Sequence, residues 1–234
     1  MTADLHKVVN FFISRYEKLR DDEIATGMKA YLKNKQDFLG IQNPARKEIY
    51  KDFKSEMGRS LKKTITPNDV ESIVMVLWDK PEREYRYTAL FLIEYFKTYS
   101  IDRISFLEQL IISGDWWDIT DTIAPRFIGD LLKENKMQMK EILKKWVNHD
   151  NMWIRRSAIL SQLKFKKNTD VELLSYCIFQ TMNEKEFFIQ KAIGWILREF
   201  SKTNPKFVAD FINSHNETLS RLSVREGSKY LIDK

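Results

Sequence analysis

The sequence predicts an all-α fold, an α-solenoid of stacked helix pairs. Three observations carry that prediction. Apolar residues recur at helical spacing along almost the whole chain. Turn formers are scarce, with 7 Gly and 5 Pro in 234 residues, too few for the many tight turns of an all-β protein. One helical segment also returns along the chain, so the fold is a stack rather than a bundle.

The elements follow in chain order. Residues 1–65 do not fit the repeat and read as an atypical N-terminal capping section of a single domain spanning 1–234. From Val70 to Tyr95 the helical period is clear: Ile73, Val74, Leu77 and Trp78, then Leu90, Phe91, Ile93 and Phe96 after a break at Pro81. The other breaks are short and polar: Gln42-Asn-Pro, Thr66-Pro-Asn-Asp, Asn148-His-Asp-Asn, Lys167-Asn-Thr-Asp and Thr203-Asn-Pro. Each supplies a side chain or a proline suited to a helix end. Tyr85–Phe96, Ile154–Phe165 and Ile189–Phe200 align at offsets of 69 and 35, with Phe96, Phe165 and Phe200 coinciding. Ala124 falls midway between Ala89 and Ala158, which supplies the missing unit. A period near 35 with one helix pair per unit describes HEAT-like or related α-solenoid repeats.

Composition excludes several classes. Cys177 is the lone cysteine, so neither an internal disulfide nor a thiolate zinc site is available. His6, His149 and His215 lack metal-ligand spacing, and no Gly-rich phosphate loop appears, so neither metal nor cofactor is expected. No apolar run approaches the roughly 20 residues of a membrane span, and no signal peptide opens the chain. A cytoplasmic, monomeric protein is the expectation. Between Lys133 and Lys167 ten Lys/Arg face three Asp/Glu, a local excess of +7 against +6 for the whole chain. Such a run is either a set of solvated helix faces or a surface for a polyanion. Convergence on one side decides between them.

The candidate chemistry centres on Gly114-Asp-Trp-Trp-Asp-Ile-Thr-Asp. Neighbouring residues on a helix point about 100° apart, so one Trp is expected in the core and the other outside. Trp117 and Asp121 are four apart and share a face, as do Lys191 and Trp195 two units later, with Arg198 on the same helix. Stacking aligns Asp121 with Arg155/Arg156 and Lys191 on successive rungs of one concave face. Two aromatics, a carboxylate and several cations suit a nucleic-acid site. The alternative for each is a capping or solvated Asp and an ordinary core Trp.

These segments resemble the AlkD family of bacterial alkylpurine DNA glycosylases, from roughly Ala30 to Arg225. The likeness is carried by Tyr31-Leu-Lys-Asn, Phe38-Leu-Gly-Ile-Gln, Trp116-Trp-Asp-Ile-Thr-Asp, Arg156-Ser-Ala-Ile-Leu-Ser-Gln-Leu-Lys and Lys185-Glu-Phe-Phe-Ile-Gln-Lys-Ala-Ile-Gly-Trp-Ile-Leu-Arg-Glu. The resemblance implies Asp121 as catalytic carboxylate, with Trp117 and Trp195 flanking the lesion's deoxyribose. It implies Arg156 as a phosphate-binding arginine, and Tyr31, Gln42 and Lys164 as further DNA contacts. Arg155, Lys166, Lys191 and Arg198 are expected to add phosphate contacts. The implied reaction is base excision repair of cationic lesions such as 3-methyladenine and 7-methylguanine in double-stranded DNA, without a base-flipping pocket. The competing reading is a non-catalytic repeat scaffold that binds DNA or an acidic protein.

Overall fold

The computed structural model describes residues 3–231. Among them the β-type pairing is limited to an isolated bridge between Asp37 and Glu82, and the rest of the regular structure is helical. The chain divides after Tyr99 into two compact units.

The first unit holds α1 (Ala3–Lys18), α2 (Asp22–Tyr31), α3 (residues 43–61), α4 (Pro67–Trp78) and α5 (Arg83–Phe96). The section expected to be a cap, 1–65, lies in this unit together with α4 and α5. Thr66 and Asp69 form a reciprocal capping box at the start of α4, and Pro67 occupies its first turn, so this break acts as the cap its sequence suggests. Phe12, Tyr16 and Phe53 are fully buried, and Phe53 meets Phe91 edge-on. Val70, Ile73, Val74 and Leu77 bury the apolar stripe of α4.

A buried carboxylate shapes the loop between α2 and α3. Both oxygens of Glu84 accept backbone N–H donors: Oε2 from Leu39 (3.0 Å), Oε1 from Gly40 and Ile41 (3.0 Å each). Three donors that would otherwise be orphaned are satisfied by one side chain. Gly40 sits at φ +85°, and a Cβ there would lie 2.0 Å from the Asp21 carbonyl oxygen, so the turn admits only glycine.

The second unit stacks four helix pairs: α6 (Ile104–Gly114) with α7 (residues 117–134), α8 (Lys136–Trp146) with α9 (Met152–Leu160), α10 (Val171–Thr181) with α11 (Phe187–Ser201), and α12 (Pro205–Ser214) with α13 (Arg221–Gly227). The second helices open at Trp117, Met152, Phe187 and Arg221, steps of 35, 35 and 34 residues. The period read from the sequence is therefore the spacing of these helices, and it runs one rung further than the aligned segments reached. Asn151, Asp170 and Asn204 each cap a helix with a side-chain oxygen. Pro125 cannot donate to the helical ladder, and α7 widens to a π-helical stretch at Ala124–Ile128 around it. Cys177 is buried in α10, and burial pushes its thiol up to about 12, so it fills the core as an inert side chain.

Replacing Glu84 by Ala should leave three buried N–H groups unpaired, at about 1 kcal/mol or more each. Urea unfolding of the variant should show a loss of at least about 3 kcal/mol. A loss under about 1 kcal/mol would mean that water replaces the carboxylate without cost.

Candidate active site

Each second helix of the repeat presents one residue of a ladder with the 35-residue spacing. Asp121 comes from α7, Arg156 from α9, Lys191 from α11 and Glu226 from α13. Together with Trp117, Phe187, Phe188, Trp195 and Arg198 they line a cleft of about 310 Å³ in the second unit. The first two rungs make an ion pair, and so do the last two.

The pair nearest the aromatics is the tightest. Arg156 Nε donates to Asp121 Oδ1 at 2.8 Å and Nη2 to Oδ2 at 3.0 Å, a bidentate fork. Its Nη1 donates to the Phe188 carbonyl. The Arg156 side chain is 5% exposed and that of Asp121 15%. Burial dominates the Asp121 carboxyl and raises its pKa above the usual value; Arg156 opposes the rise, and the Asp118 charge adds to it. Arg156 therefore keeps a desolvated carboxylate ionisable and fixes the direction of its oxygens.

The two adjacent tryptophans separate as helix geometry requires. Trp116 turns into an aromatic cluster with Trp153 and Phe188, at centroid distances of 5.8 and 5.2 Å. Trp117 lines the cleft on the same face as Asp121. The turn between α6 and α7 is held by Asp115, whose Oδ1 accepts the Trp153 indole N–H at 3.0 Å. Asp121 is thus neither a helix cap nor solvated.

On α11, Lys191, Trp195 and Arg198 stand at positions i, i+4 and i+7, one stripe of a helix facing the cleft. Glu226 meets this stripe from α13: Lys191 Nζ lies 3.2 Å from Oε1, Arg198 Nη1 2.7 Å from Oε2, and Lys229 Nζ 3.0 Å from Oε2. Its side chain is 6% exposed, yet the Lys229 hydrogen bond, helped by Lys191, outweighs burial and lowers its pKa to about 2. Sequence reasoning missed Glu226, Phe187 and Phe188. Glu226 was within reach, since adding 35 to Lys191 names it.

The remaining expected DNA contacts are dispersed. Arg155 turns away from the cleft, donating to Glu184 (2.8 Å) and to the carbonyls of His149 and Asp150, so its guanidinium serves the loop before α9. Lys164 and Lys166 line a separate cleft of about 540 Å³ with Glu199, Phe200 and Lys202. Tyr31, 71% exposed, and Gln42, exposed at the start of α3, belong to the first unit. The Lys133–Lys167 charge run does not form one basic face. Lys133, Lys136, Lys140, Lys144, Arg155 and Arg156 each reach a carboxylate, Asp130, Asp170, Asp170, Glu141, Glu184 and Asp121 in turn. Among the described residues no group of acids, histidines or cysteine is arranged to hold a metal, and no helix is long and apolar enough to cross a membrane.

Comparison with known proteins shows the family and the fold. The family model described as DNA alkylation repair enzyme matches residues 12–231. A solved structure titled as a predicted DNA alkylation repair enzyme from Enterococcus faecalis is 33% identical, with a TM-score of 0.81 over 92% of this chain and 98% of that one. AlkD2 from Streptococcus mutans shares the fold at 19% identity and a TM-score of 0.59, covering 78% of this chain and 91% of its own. The smu.31 protein of Streptococcus mutans UA159 does so at 17% and 0.58, covering 79% and 96%. No curated protein matches the chain. With the family model spanning nearly the whole repeat architecture, the chain belongs to the DNA alkylation repair enzyme family.

Proposed function

We propose that this protein is a DNA glycosylase that hydrolyses the N-glycosidic bond of cationic N-alkylated purines in duplex DNA. The observation that carries the reading is Asp121, an aimed carboxylate in a cleft walled by Trp117 and Trp195 and flanked by cations. The family membership supports repair of alkylated DNA as the setting.

The chemistry suits this short inventory. Alkylation at a ring nitrogen makes the purine a cation and so a good leaving group, and no general acid is needed to protonate it. What remains is to stabilise the oxocarbenium-like sugar and to direct a water at C1′. A carboxylate about 4 Å from that cation is worth roughly 4 kcal/mol at an effective dielectric near 20. Arg156 lies behind the carboxylate, and a positive charge about twice as far away takes back roughly half. The remaining ~2 kcal/mol, gained as the sugar becomes positive, is about thirtyfold in rate. The faces of Trp117 and Trp195 would add about 0.5–2 kcal/mol each by cation–π attraction.

The cleft presents Asp121 between aromatic walls, and the rest of its polar lining, Arg156, Lys191, Arg198 and Glu226, is engaged in ion pairs, which leaves few groups to read the edges of a base. This supports action on the backbone and sugar, tolerance of bulky cationic adducts, and little activity on neutral lesions such as uracil. Arg156 enters the reading as the residue that orients Asp121, since its buried guanidinium already holds two carboxylate oxygens and a carbonyl. The same buried pair also favours a second reading, a scaffold in which Asp121 and Arg156 only tie two rungs together. Turnover separates the two.

Asp121→Asn should lower single-turnover release of 7-methylguanine from methylated duplex DNA by about thirtyfold or more, while duplex affinity stays within about threefold. Equal excision by the variant would remove Asp121 from the mechanism and favour the scaffold.

The pH dependence has a fixed sign. Asp121 acts ionised and its pKa is raised, so excision should decline on acidification earlier than an ordinary carboxylate would require. A single-turnover rate that is flat down to the ordinary Asp range near 3.9 would contradict this.

Arg156→Ala leaves a buried carboxylate without its partner and should cost about 3 kcal/mol in urea unfolding at neutral pH. Part of that loss should return on acidification, as Asp121 takes up a proton. A cost that is the same at both pH values would mean the pair is not electrostatically coupled.

A further inference from the structure

Glu226 is the one residue of the cleft wall whose sign opposes DNA and which the glycosidic reaction does not use. It is also among the most completely paired side chains of the second unit, with three cations on two oxygens. Its approach to α11 depends on Gly194: a Cβ there would lie 2.6 Å from the Glu226 Cβ and 3.2 Å from the Ser223 carbonyl oxygen. Ser223 closes the same crossing by donating its hydroxyl to the Gln190 carbonyl at 2.9 Å. Small residues on both helices thus bring a carboxylate into the space between two cations that stand seven residues, or about two turns, apart on α11.

Three cations around one carboxylate keep a net charge of +2. Left alone, Lys191 and Arg198 would repel each other and spread into water on flexible stems. The carboxylate instead holds the ammonium on one oxygen and the guanidinium on the other, in the cleft wall that Trp195 shares. We propose that Glu226 is a positioning residue: it gathers Lys191 and Arg198 into a single site for one backbone phosphate of the duplex, in the wall of the cleft that holds Asp121. The inference rests on the duplex-DNA reading above and adds to it the residue that builds its phosphate contact. The lowered pKa of Glu226 means that it stays charged across the range in which DNA is bound, so the arrangement does not titrate away.

A carboxylate that merely competed with phosphate would have the opposite effect on binding, which makes the idea decidable. The test is the affinity of the full chain for a short undamaged DNA duplex as a function of salt. Each phosphate contact contributes about −0.9 to the slope of log K against log salt. Glu226→Gln should bind about tenfold more weakly at low salt, with a slope shallower by about 0.9. Lys191→Ala combined with Arg198→Ala should show the same loss of slope, and adding Glu226→Gln to that pair should change it no further. Binding of Glu226→Gln as tight as wild type or tighter would overturn the proposal. So would weaker binding or a lower melting temperature with an unchanged slope, the signature of a packing contact alone. Should Glu226→Gln fail to fold, Glu226→Asp, which keeps the charge but shortens its reach, takes its place, and a wild-type slope in it or in the Lys191→Ala, Arg198→Ala variant overturns the proposal. Wild-type protein that binds duplex but releases no purine defeats the excision reading and leaves the phosphate site to stand or fall on its slope. Efficient excision with slopes untouched by these substitutions does the reverse.

Discussion

A carboxylate taken out of water must either find a counter-charge or take up a proton, and at Asp121 the counter-charge arrives from the next helix pair. Arg156 reaches it across one full repeat with both arms of its guanidinium while bonding the Phe188 carbonyl of the repeat beyond. Three successive rungs are therefore joined through one side chain. The direction of the Asp121 oxygens and the closure of this end of the cleft follow from that junction. Burial raises the Asp121 pKa and Arg156 opposes the rise; solvation alone would leave the carboxylate unaimed. The fork resolves the conflict, and Phe188 under the guanidinium, 5.8 Å from its centre, completes the setting.

The fold was largely legible because the repeat writes itself into sequence twice, as apolar periodicity and as recurring helix ends. Thr66, Asn151, Asp170 and Asn204 all cap helices, and the aligned segments lie on successive second helices. The last rung is hidden in the sequence because Phe96, Phe165 and Phe200 mark the aligned segments and α13 has no matching Phe. That seven-residue helix still holds the ladder position just as the longer helices do.

The site was legible in membership and only partly in contact. Asp121, Trp117, Lys191, Trp195 and Arg198 share a cleft, as spacing on helices can suggest. Spacing does not state which cation a carboxylate will capture. Arg155 and Arg156 are neighbours in sequence, but they point about 100° apart, so one enters the cleft and the other is consumed by Glu184. The excess of Lys and Arg over Lys133–Lys167 misled for a related reason. A local count cannot see Asp170 or Glu184, which lie outside the run, before and after α10, and pair with Lys136, Lys140 and Arg155.

Solenoids ordinarily lengthen or shorten by whole repeats with little penalty, since each unit touches only its neighbours. The ladder here couples that freedom to charge. Its rungs read negative, positive, positive, negative from Asp121 to Glu226, and the two ion pairs form only in this order. Deleting the rung of Arg156 would set Asp121 against Lys191 and leave Glu226 to Arg198 and Lys229. Duplicating it would place an unmatched buried guanidinium in the stack. Changing the number of rungs between Asp121 and Glu226 would thus re-pair these charges, although the packing of the helices themselves would tolerate another count.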